Sequence, residues 1–135
     1  MTSETAISES ELRARHLRVA SPSPWVARYA HLIPAQGPVL DLACGGGRNA
    51  RFLGQRGHPV VALDKDTAAL IQDAPPGIEI VQADLEDGAP VFDPPGPLAG
   101  RRFAGIVVVN YLYRPILPKL IALLPSDGFV ATTNV

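Results

Sequence analysis

The chain has 135 residues, of which 47% are hydrophobic and 19% charged, and its formal net charge at pH 7 is −1. A chain of this length can bury a sizeable core as one domain, and its balanced charge offers no electrostatic footprint for nucleic acid or an anionic membrane. The one cysteine cannot form an internal disulfide, and no stretch reaches the ~18 apolar residues of a membrane span. We therefore expect a cytoplasmic protein with neither a nucleic-acid nor a membrane partner.

The chain begins with a polar stretch up to Ser10, and we expect residues 1–22 to form a flexible segment because its start lacks apolar anchors. Ser23-Pro24 then predicts the start of a helix, with serine as the cap and proline at the first helical position. The folded domain is predicted to cover residues 23–135. Helical spacing predicts that the first helix buries one apolar face, made of Trp25, Val26, Tyr29, Leu32 and Ile33.

A glycine-rich turn follows the first predicted strand. Val39 to Leu42 is an apolar run, which continues through the turn Cys44–Gly47 into a helix from about Arg48 to Gln55. Ligands of open α/β sheets bind at the carboxyl edge of the strands, and glycine lets a ligand approach the backbone closely. We therefore expect Gly45 and Gly47 to face a ligand, so that Gly47→Val would abolish binding in a domain that still folds.

An acid ends the second predicted strand. Val60 to Leu63 is apolar and is followed by Asp64, 17 residues beyond Gly47. In nucleotide-binding α/β folds, the acid that holds a ribose stands about 20 residues beyond the glycine loop. Since a carboxylate at this place can accept both ribose hydroxyls, the two features together predict a nucleoside site on a doubly wound parallel sheet.

Two short elements and an irregular segment come next. Asp66 predicts the cap of a helix that carries Leu70 and Ile71, and Ile78 to Val81 predicts the third strand. Between residues 84 and 103, frequent prolines and glycines leave no room for a regular helix, so we expect a surface loop. Such a loop would leave one face of the sheet thinly covered.

The remaining predicted elements are a fourth strand from Phe103 to Asn110, a helix and a fifth strand. Pro115 begins this helix and Pro125 ends it. The helix is predicted to face the core through Leu117, Leu120, Ile121 and Leu124. Strands that alternate with helices and are rich in Val, Ile and Leu predict a parallel α/β sheet covered by helices.

The glycine pattern distinguishes two classes of nucleoside binder. Gly45 and Gly47 form one G-x-G, but Ala50 stands at the third position of the dinucleotide fingerprint, and Asp41 would repel a pyrophosphate. The segment instead resembles the D-x-G-x-G-x-G motif of class I S-adenosylmethionine-dependent methyltransferases, with Ala43 in place of the first glycine. The ligand of that family has no phosphate, and its cationic sulfonium and ammonium groups tolerate nearby acids.

The resemblance continues in order from about residue 39 to residue 130. Asp64 matches the acid that holds the ribose hydroxyls, and Asp84-Leu85 matches the segment whose acid and next backbone N–H meet the adenine. The pair Arg48-Asn49 beside the glycine loop looks most like small-molecule methyltransferases of the tellurite-resistance type. The resemblance implies a Rossmann-like sheet with strand order 3-2-1-4-5, S-adenosylmethionine as cofactor and S-adenosylhomocysteine as its product.

Candidate site residues follow from the same resemblance. For cofactor binding it implies Asp41, Ala43, Cys44, Gly45, Gly47, Asn49, Asp64, Lys65, Asp84, Leu85 and Asn110. The catalytic residues stay unknown, with candidates for the methyl-transfer pocket at Asn110, Tyr111, Tyr113 and Arg114. Two alternatives stay open: Asp84 could belong with Glu86 and Asp87 to a solvated acidic turn, and the tyrosines could pack the start of the helix.

Other chemistries have little support in the sequence. No His–Asn/Asp signature accompanies Cys44, so we expect it not to be a nucleophile. His16, His31 and His58 share no metal-ligand spacing, so we expect no metal site.

The favoured function is methyl transfer from S-adenosylmethionine to a small-molecule acceptor, for which in-line placement matters more than a general base. The alternatives are a non-catalytic cofactor-binding stub or partner-dependent fragment and, less favoured, an NAD-dependent oxidoreductase. Complete members of the family continue after the fifth strand with a helix and an antiparallel pair of strands, so the resemblance implies an incomplete domain that lacks these strands. We expect an open edge on the fifth strand, and with it self-association or a partner over residues 128–135.

Overall fold

The computed structural model describes residues 21–109, 111, 113–124 and, for the backbone, 129–133. The predicted flexible segment over residues 1–22 falls almost wholly outside the described residues. The same is true of Asn110 and of the turn over residues 125–128.

A parallel sheet organises the chain. Its strands β1 (Val39–Leu42), β2 (Val60–Asp64), β3 (Ile78–Gln82) and β4 (Gly105–Val109) lie in the order 3-2-1-4, which confirms the predicted doubly wound α/β sheet. A further strand, β5 (Phe129–Thr133), pairs in parallel with β4. The carboxyl ends of parallel strands meet at one edge of a sheet, so the segments that follow β1, β2, β3 and β4 come together there.

Short helices connect the strands. They are α1 (Pro24–Tyr29), α2 (Arg48–Gln55), α3 (Ala68–Asp73) and α4 (Leu117–Ala122), with 3₁₀ turns at Ala30–Leu32 and Arg114–Ile116. Helix α2 has the predicted bounds, and Gly57 follows it with a φ of 93°, a left-handed conformation that glycine adopts readily.

The core lies on both faces of the sheet. One face packs β-strand residues against side chains of the loop and of α4, and its most buried members are Leu40, Leu42, Leu63, Leu98, Phe103, Ile106 and Leu120. The other face packs against α1, α2 and α3, with Val26, Ala30, Ile33, Val39, Ala50, Leu53, Ala62, Leu70 and Val107.

The face that the first helix buries differs from the prediction. The buried residues of this segment are Val26, Ala30 and Ile33, whereas Trp25 is 43% exposed. Residues 25, 29 and 32 form one helical stripe and residues 26, 30 and 33 form the next, and both satisfy helical spacing. The prediction merged the two stripes, and the sheet contacts the second one.

A similar rotation separates prediction and structure in α4, where Ile121, predicted to face the core, is 67% exposed. In α3, for which no buried face was predicted, Leu70 is fully buried and Ile71 is 61% exposed. In the segment of α4 the buried residues are Ile116, Leu120 and Leu123. A helix of six residues makes fewer than two turns, so its sequence pattern alone does not fix which stripe faces the sheet.

The segment between β3 and β4 contains no regular helix, as predicted, but it does not leave the sheet thinly covered. Val91, Phe92 and Leu98 are buried against the sheet in the same cluster as Ile106. These apolar side chains replace the missing crossover helix. The loop is also fastened to β3, because Arg101 donates two hydrogen bonds of 3.1 Å to the Glu79 carboxylate.

Candidate functional site

The turn between β1 and α2 has an unusual backbone. Ala43, Gly45 and Gly47 have φ angles of 57°, 58° and 87°, so every second residue is left-handed. Glycine adopts such angles at no steric cost, whereas alanine is strained there by roughly 1–2 kcal/mol. The N–H of Gly47 donates to the Cys44 carbonyl at 3.0 Å, which closes the turn.

Asp64 connects this turn to the end of β2. The N–H of Gly45 donates to Asp64 Oδ2 at 2.8 Å, and the N–H of Asp66 donates to Asp64 Oδ1 at 3.0 Å. The glycine turn and the acid therefore meet at the carboxyl edge, in the arrangement that their spacing predicts.

Asp41 is buried next to the same turn. It lies in β1, is 1% exposed and accepts a hydrogen bond from the backbone N–H of Ala50, near the start of α2. Its Oδ2 atom has no hydrogen-bond partner in the part of the chain that the structure describes. Burial raises the pKa of Asp41 to about 7; the Ala50 bond and Arg48 lower it, while the charge of Asp64 raises it.

A cavity of about 200 Å³ opens beside this turn, between the ends of β2 and β3. Three carboxylates line it, and one lysine is the cation among its lining residues. The lining consists of Ala43, Leu63, Asp64, Lys65, Ala83, Asp84, Leu85, Glu86 and Tyr111. The structure thus brings six of the predicted site residues together around one space.

The residues after β3 form a turn that we call the acidic turn, residues 84–89. Asp84 Oδ1 accepts the N–H of Glu86 at 2.9 Å, and Asp87 Oδ1 accepts the N–H of Ala89 at 2.9 Å. Hydrogen bonds in which an aspartate accepts the N–H of the second following residue stabilise turns. Sequence reasoning considered Glu86 only as part of a solvated turn, yet Glu86 also accepts a hydrogen bond from the Tyr111 hydroxyl at 2.8 Å.

Gly47 has a structural reason to be glycine. A Cβ atom at this position would lie 2.3 Å from Leu70 Cδ1, and the φ of 87° strains any larger residue. The close approach that requires glycine here is therefore the packing of α3. Gly47→Val would strain the left-handed backbone and force Leu70 to shift, so loss of binding in this variant would not by itself show that Gly47 faces the ligand.

Asn49 and Cys44 also have partners inside the protein. Asn49 is buried, and its Oδ1 accepts the N–H of Ser23 at 2.8 Å, which joins the starts of α1 and α2. The N–H of Cys44 donates to the Leu63 carbonyl at 3.0 Å. Burial raises the pKa of the Cys44 thiol, and the charges of Asp41 and Asp64 raise it further. A thiol that stays protonated is a poor nucleophile.

The other candidates lie apart from this cavity. Tyr113 lines a second cavity of about 320 Å³, formed with the loop residues 88–93 and with Pro115, Ile116 and Lys119. Arg114 is exposed at the start of a 3₁₀ turn. Leu85 lines both cavities, so the two spaces are neighbours.

The described residues contain neither a helix that could span a membrane nor a group of metal-ligating side chains. No helix among them is long and apolar enough to cross a membrane. Within the same residues, no three His, Cys, Asp or Glu side chains are grouped so that they could hold a metal ion.

The sequence model of the family described as Tellurite resistance protein TehB matches residues 26–79, which run from α1 into β3. This match contains the glycine turn and Asp64. No curated protein matches the chain in sequence.

Solved structures are similar over most of this chain. A TehB-like methyltransferase from Corynebacterium glutamicum gives a TM-score of 0.66 at 24% identity and covers 90% of this chain and 68% of its own. The glycopeptide N-methyltransferase MtfA, complexed with S-adenosylmethionine, gives a TM-score of 0.62 at 25% identity and covers 84% of this chain and 55% of its own. Coclaurine N-methyltransferase, bound to N-methylheliamine and S-adenosylhomocysteine, gives a TM-score of 0.64 at 17% identity and covers 97% of this chain and 38% of its own. This chain therefore spans 55% of the length of MtfA and 38% of the length of coclaurine N-methyltransferase.

These findings define the fold of the protein. The chain has the Rossmann-like fold of class I S-adenosylmethionine-dependent methyltransferases. Over residues 26–79 its sequence resembles the TehB family, as its glycine turn predicted.

Proposed function

We propose that this chain binds S-adenosylmethionine and transfers its methyl group to a small-molecule acceptor. The observation that carries the proposal is the contact between the glycine turn and Asp64 at the rim of an acidic cavity. The family match, which includes both features, supports the same proposal.

The charge of the cavity favours this cofactor over a dinucleotide. Asp64, Asp84 and Glu86 line the space, and one lysine opposes them. Acids placed this close together repel a pyrophosphate but favour a ligand that carries sulfonium and ammonium cations. The NAD-dependent alternative is therefore disfavoured by electrostatics as well as by Ala50 in the glycine fingerprint.

Asp41 provides a second indication that the residues of this site suit S-adenosylmethionine. A buried carboxylate oxygen without a partner costs free energy unless a donor or a cation reaches it. The ammonium group of S-adenosylmethionine, directly or through a water, would be such a partner. The residues therefore fit the cofactor that the fold family implies.

In the proposed complex, each residue has a role that its position allows. Asp64 accepts the ribose hydroxyls, and Asp84 with the backbone of Leu85 meets the adenine. Ala43, Gly45 and Lys65 border the ligand from the turn and the end of β2. Gly47, Cys44 and Asn49 act indirectly, since they shape the turn and fasten it to α1 and α3.

The bound cofactor supplies an activated methyl group on a cationic sulfur. The protein's part is to align the acceptor with that methyl group and to exclude water, which requires no strong base when the acceptor is already nucleophilic. Asn110, Tyr113 and Arg114 remain proposed acceptor contacts. The N-methyltransferases among the similar structures, such as the 1,6-didemethyltoxoflavin enzyme of Burkholderia thailandensis, support a small-molecule acceptor.

A titration of the purified chain with S-adenosylhomocysteine and with NAD tests the proposal. Asp64→Ala should weaken S-adenosylhomocysteine by about 1.5–3 kcal/mol, which is roughly 10- to 150-fold, because hydrogen bonds to a charged acceptor are lost. Asp73→Ala, which removes an exposed carboxylate at the end of α3, is the matched control and should leave the affinity unchanged.

Three outcomes separate the possible functions. Affinity of Asp64→Ala within twofold of the parent would refute the ribose assignment, and preferential binding of NAD would favour the oxidoreductase. Binding of S-adenosylhomocysteine without methyl turnover on a panel of small nucleophiles would favour the non-catalytic alternative.

A further inference from the structure

Two loops that follow different strands meet across the mouth of the acidic cavity. Glu86 belongs to the acidic turn after β3, and Tyr111 follows β4, 25 residues later in the chain. The Tyr111 hydroxyl donates to Glu86 Oε2 at 2.8 Å, and both side chains line the cavity. This bond joins two segments that no backbone ladder connects in the described part of the chain.

The acidic turn holds Glu86 in place for this contact. Asp84 Oδ1 accepts the Glu86 N–H, so the backbone that carries the glutamate is fixed by its own turn. Asp87 fixes the following residues through Ala89 in the same way. An exposed glutamate on a free loop would lose side-chain entropy on making one hydrogen bond, and this turn reduces the backbone part of that loss.

Tyr111 is anchored from the other side. Its ring packs against the core cluster on the loop-covered face of the sheet, as Leu85 and Tyr113 also do. Burial and the hydrogen bond to Glu86 both raise the pKa of the Tyr111 hydroxyl. The phenol therefore keeps its proton and acts as a donor to the carboxylate throughout the physiological pH range.

We propose that Glu86 and Tyr111 form a clasp over the nucleoside end of the bound cofactor, which slows the release of the ligand. The inference rests on the proposed function, because the ligand retained is S-adenosylmethionine or its product. Glu86 acts as a positioning residue: it holds the Tyr111 ring over the cavity and need not touch the ligand. Leu85 lines this cavity and the second one, so the clasp lies close to both spaces.

Stopped-flow or surface-based measurement of S-adenosylhomocysteine release tests the clasp. Tyr111→Phe removes the donor and Glu86→Ala removes the acceptor, so each should raise the release rate about tenfold. Because each single variant removes the same hydrogen bond, the double variant should release the ligand no faster than either single variant. Glu86→Gln should stay within threefold of the parent, since an amide oxygen can still accept from the phenol.

Tyr29→Phe is the matched control, because Tyr29 packs edge-on against Trp25 on α1, away from both cavities, and should release the ligand at the parent rate. Amide hydrogen exchange without ligand gives an independent readout. Exchange in the acidic turn should speed up in Tyr111→Phe and Glu86→Ala but not in Tyr29→Phe.

The outcomes are distinct. If the parent binds S-adenosylhomocysteine and both clasp variants release it within twofold of the parent rate, the clasp is refuted and the proposed function stands. Release from Glu86→Gln as fast as from Glu86→Ala would also refute the clasp, because charge and not the hydrogen bond would then retain the ligand. A parent that does not bind S-adenosylhomocysteine would overturn the proposed function and the clasp together.

Discussion

Asp41 combines features that are rarely found in one side chain. It is a carboxylate in the centre of a parallel sheet, with one oxygen bonded to the Ala50 N–H and the other without a partner among the described residues. Burial raises its pKa from 3.8 to about 7, so the folded protein holds a proton that the unfolded chain has lost between these values. This residue's contribution to the free energy of unfolding is therefore largest below pH 4, decreases as pH rises to about 7, and is constant above that.

Asp41→Asn should reveal this linkage. The amide keeps an oxygen for the Ala50 N–H but carries no charge, so the variant should gain stability relative to the parent as pH rises from 4 to 8, by roughly 1–4 kcal/mol. The same variant should bind S-adenosylhomocysteine more weakly at pH 8, because the ammonium group loses a carboxylate. Urea unfolding of both proteins at pH 5 and pH 8 checks the first part. A stability difference that does not change with pH would contradict it.

Substitutions at two positions of the glycine turn should change the stability of the domain in opposite directions. Ala43→Gly should stabilise the domain by about 0.5–1 kcal/mol, because a left-handed alanine is strained by more than the added freedom of the unfolded glycine costs. Gly47→Ala should destabilise it by more than about 2 kcal/mol, because the new Cβ meets Leu70 and the φ is unfavourable. Chemical denaturation measures both, and equal effects at the two positions would contradict the assigned conformations.

Among the elements, the loop between β3 and β4 behaves as part of the core. Leu98 is fully buried there, whereas Ile121 on α4 is mostly exposed. Leu98→Ala should therefore destabilise the domain by about 2–5 kcal/mol, and Ile121→Ala by about 0.5 kcal/mol or less. Thermal unfolding of the two variants provides the comparison. Equal stability of both would show that the loop is not packed as described.

The strands and α2 could be predicted because they are long enough, or bounded clearly enough, for a sequence pattern to specify them. Residues 39–42 and 60–64 are mostly apolar and lie between turn signals, each with one aspartate, and Gly57 marks the end of α2. The orientation of α1 and α4 could not be predicted, because adjacent apolar stripes such as those of Val26 and Trp25 differ only in what the sheet contacts.

In the site, too, some contacts can be predicted from local sequence patterns, whereas others depend on the tertiary structure. The meeting of Asp64 and Gly45 follows from two strand ends that a parallel sheet must bring together. The bonds from Ser23 to Asn49 and from Tyr111 to Glu86 join residues 26 and 25 positions apart. No sequence spacing signals such pairs, because they depend on how loops fold over the sheet.

At the scale of the whole molecule, the order of strands leaves β5 at one side of the described sheet. Strand β5 lies beyond β4 at one side of the described sheet and pairs there with β4 alone. An edge strand presents N–H and C=O groups that another strand can bind. The loop between β3 and β4 covers the face of the sheet that was expected to be thinly covered. Any tendency of the chain to associate should therefore come from the edge formed by β5.

We predict that the isolated chain self-associates, or takes up a partner, through residues 128–135. Sedimentation at tens of micromolar should show species larger than the monomer, and a lysine in place of Ala131 should reduce them, because charges on edge strands oppose pairing. A stable monomer that unfolds cooperatively at that concentration would contradict this prediction.

The two hydrogen bonds that hold Asp64 have a consequence for recognition. Gly45 and Asp66 fix both carboxylate oxygens before any ligand arrives. The side chain is thus preorganised, because a ribose that binds it does not have to immobilise the carboxylate. Immobilising a side chain on binding costs about 0.5–1.5 kcal/mol of binding free energy, and this cost is avoided here. Because the Gly45 N–H is one of these two donors, any shift of the glycine turn would also move the Asp64 carboxylate, the proposed ribose acceptor.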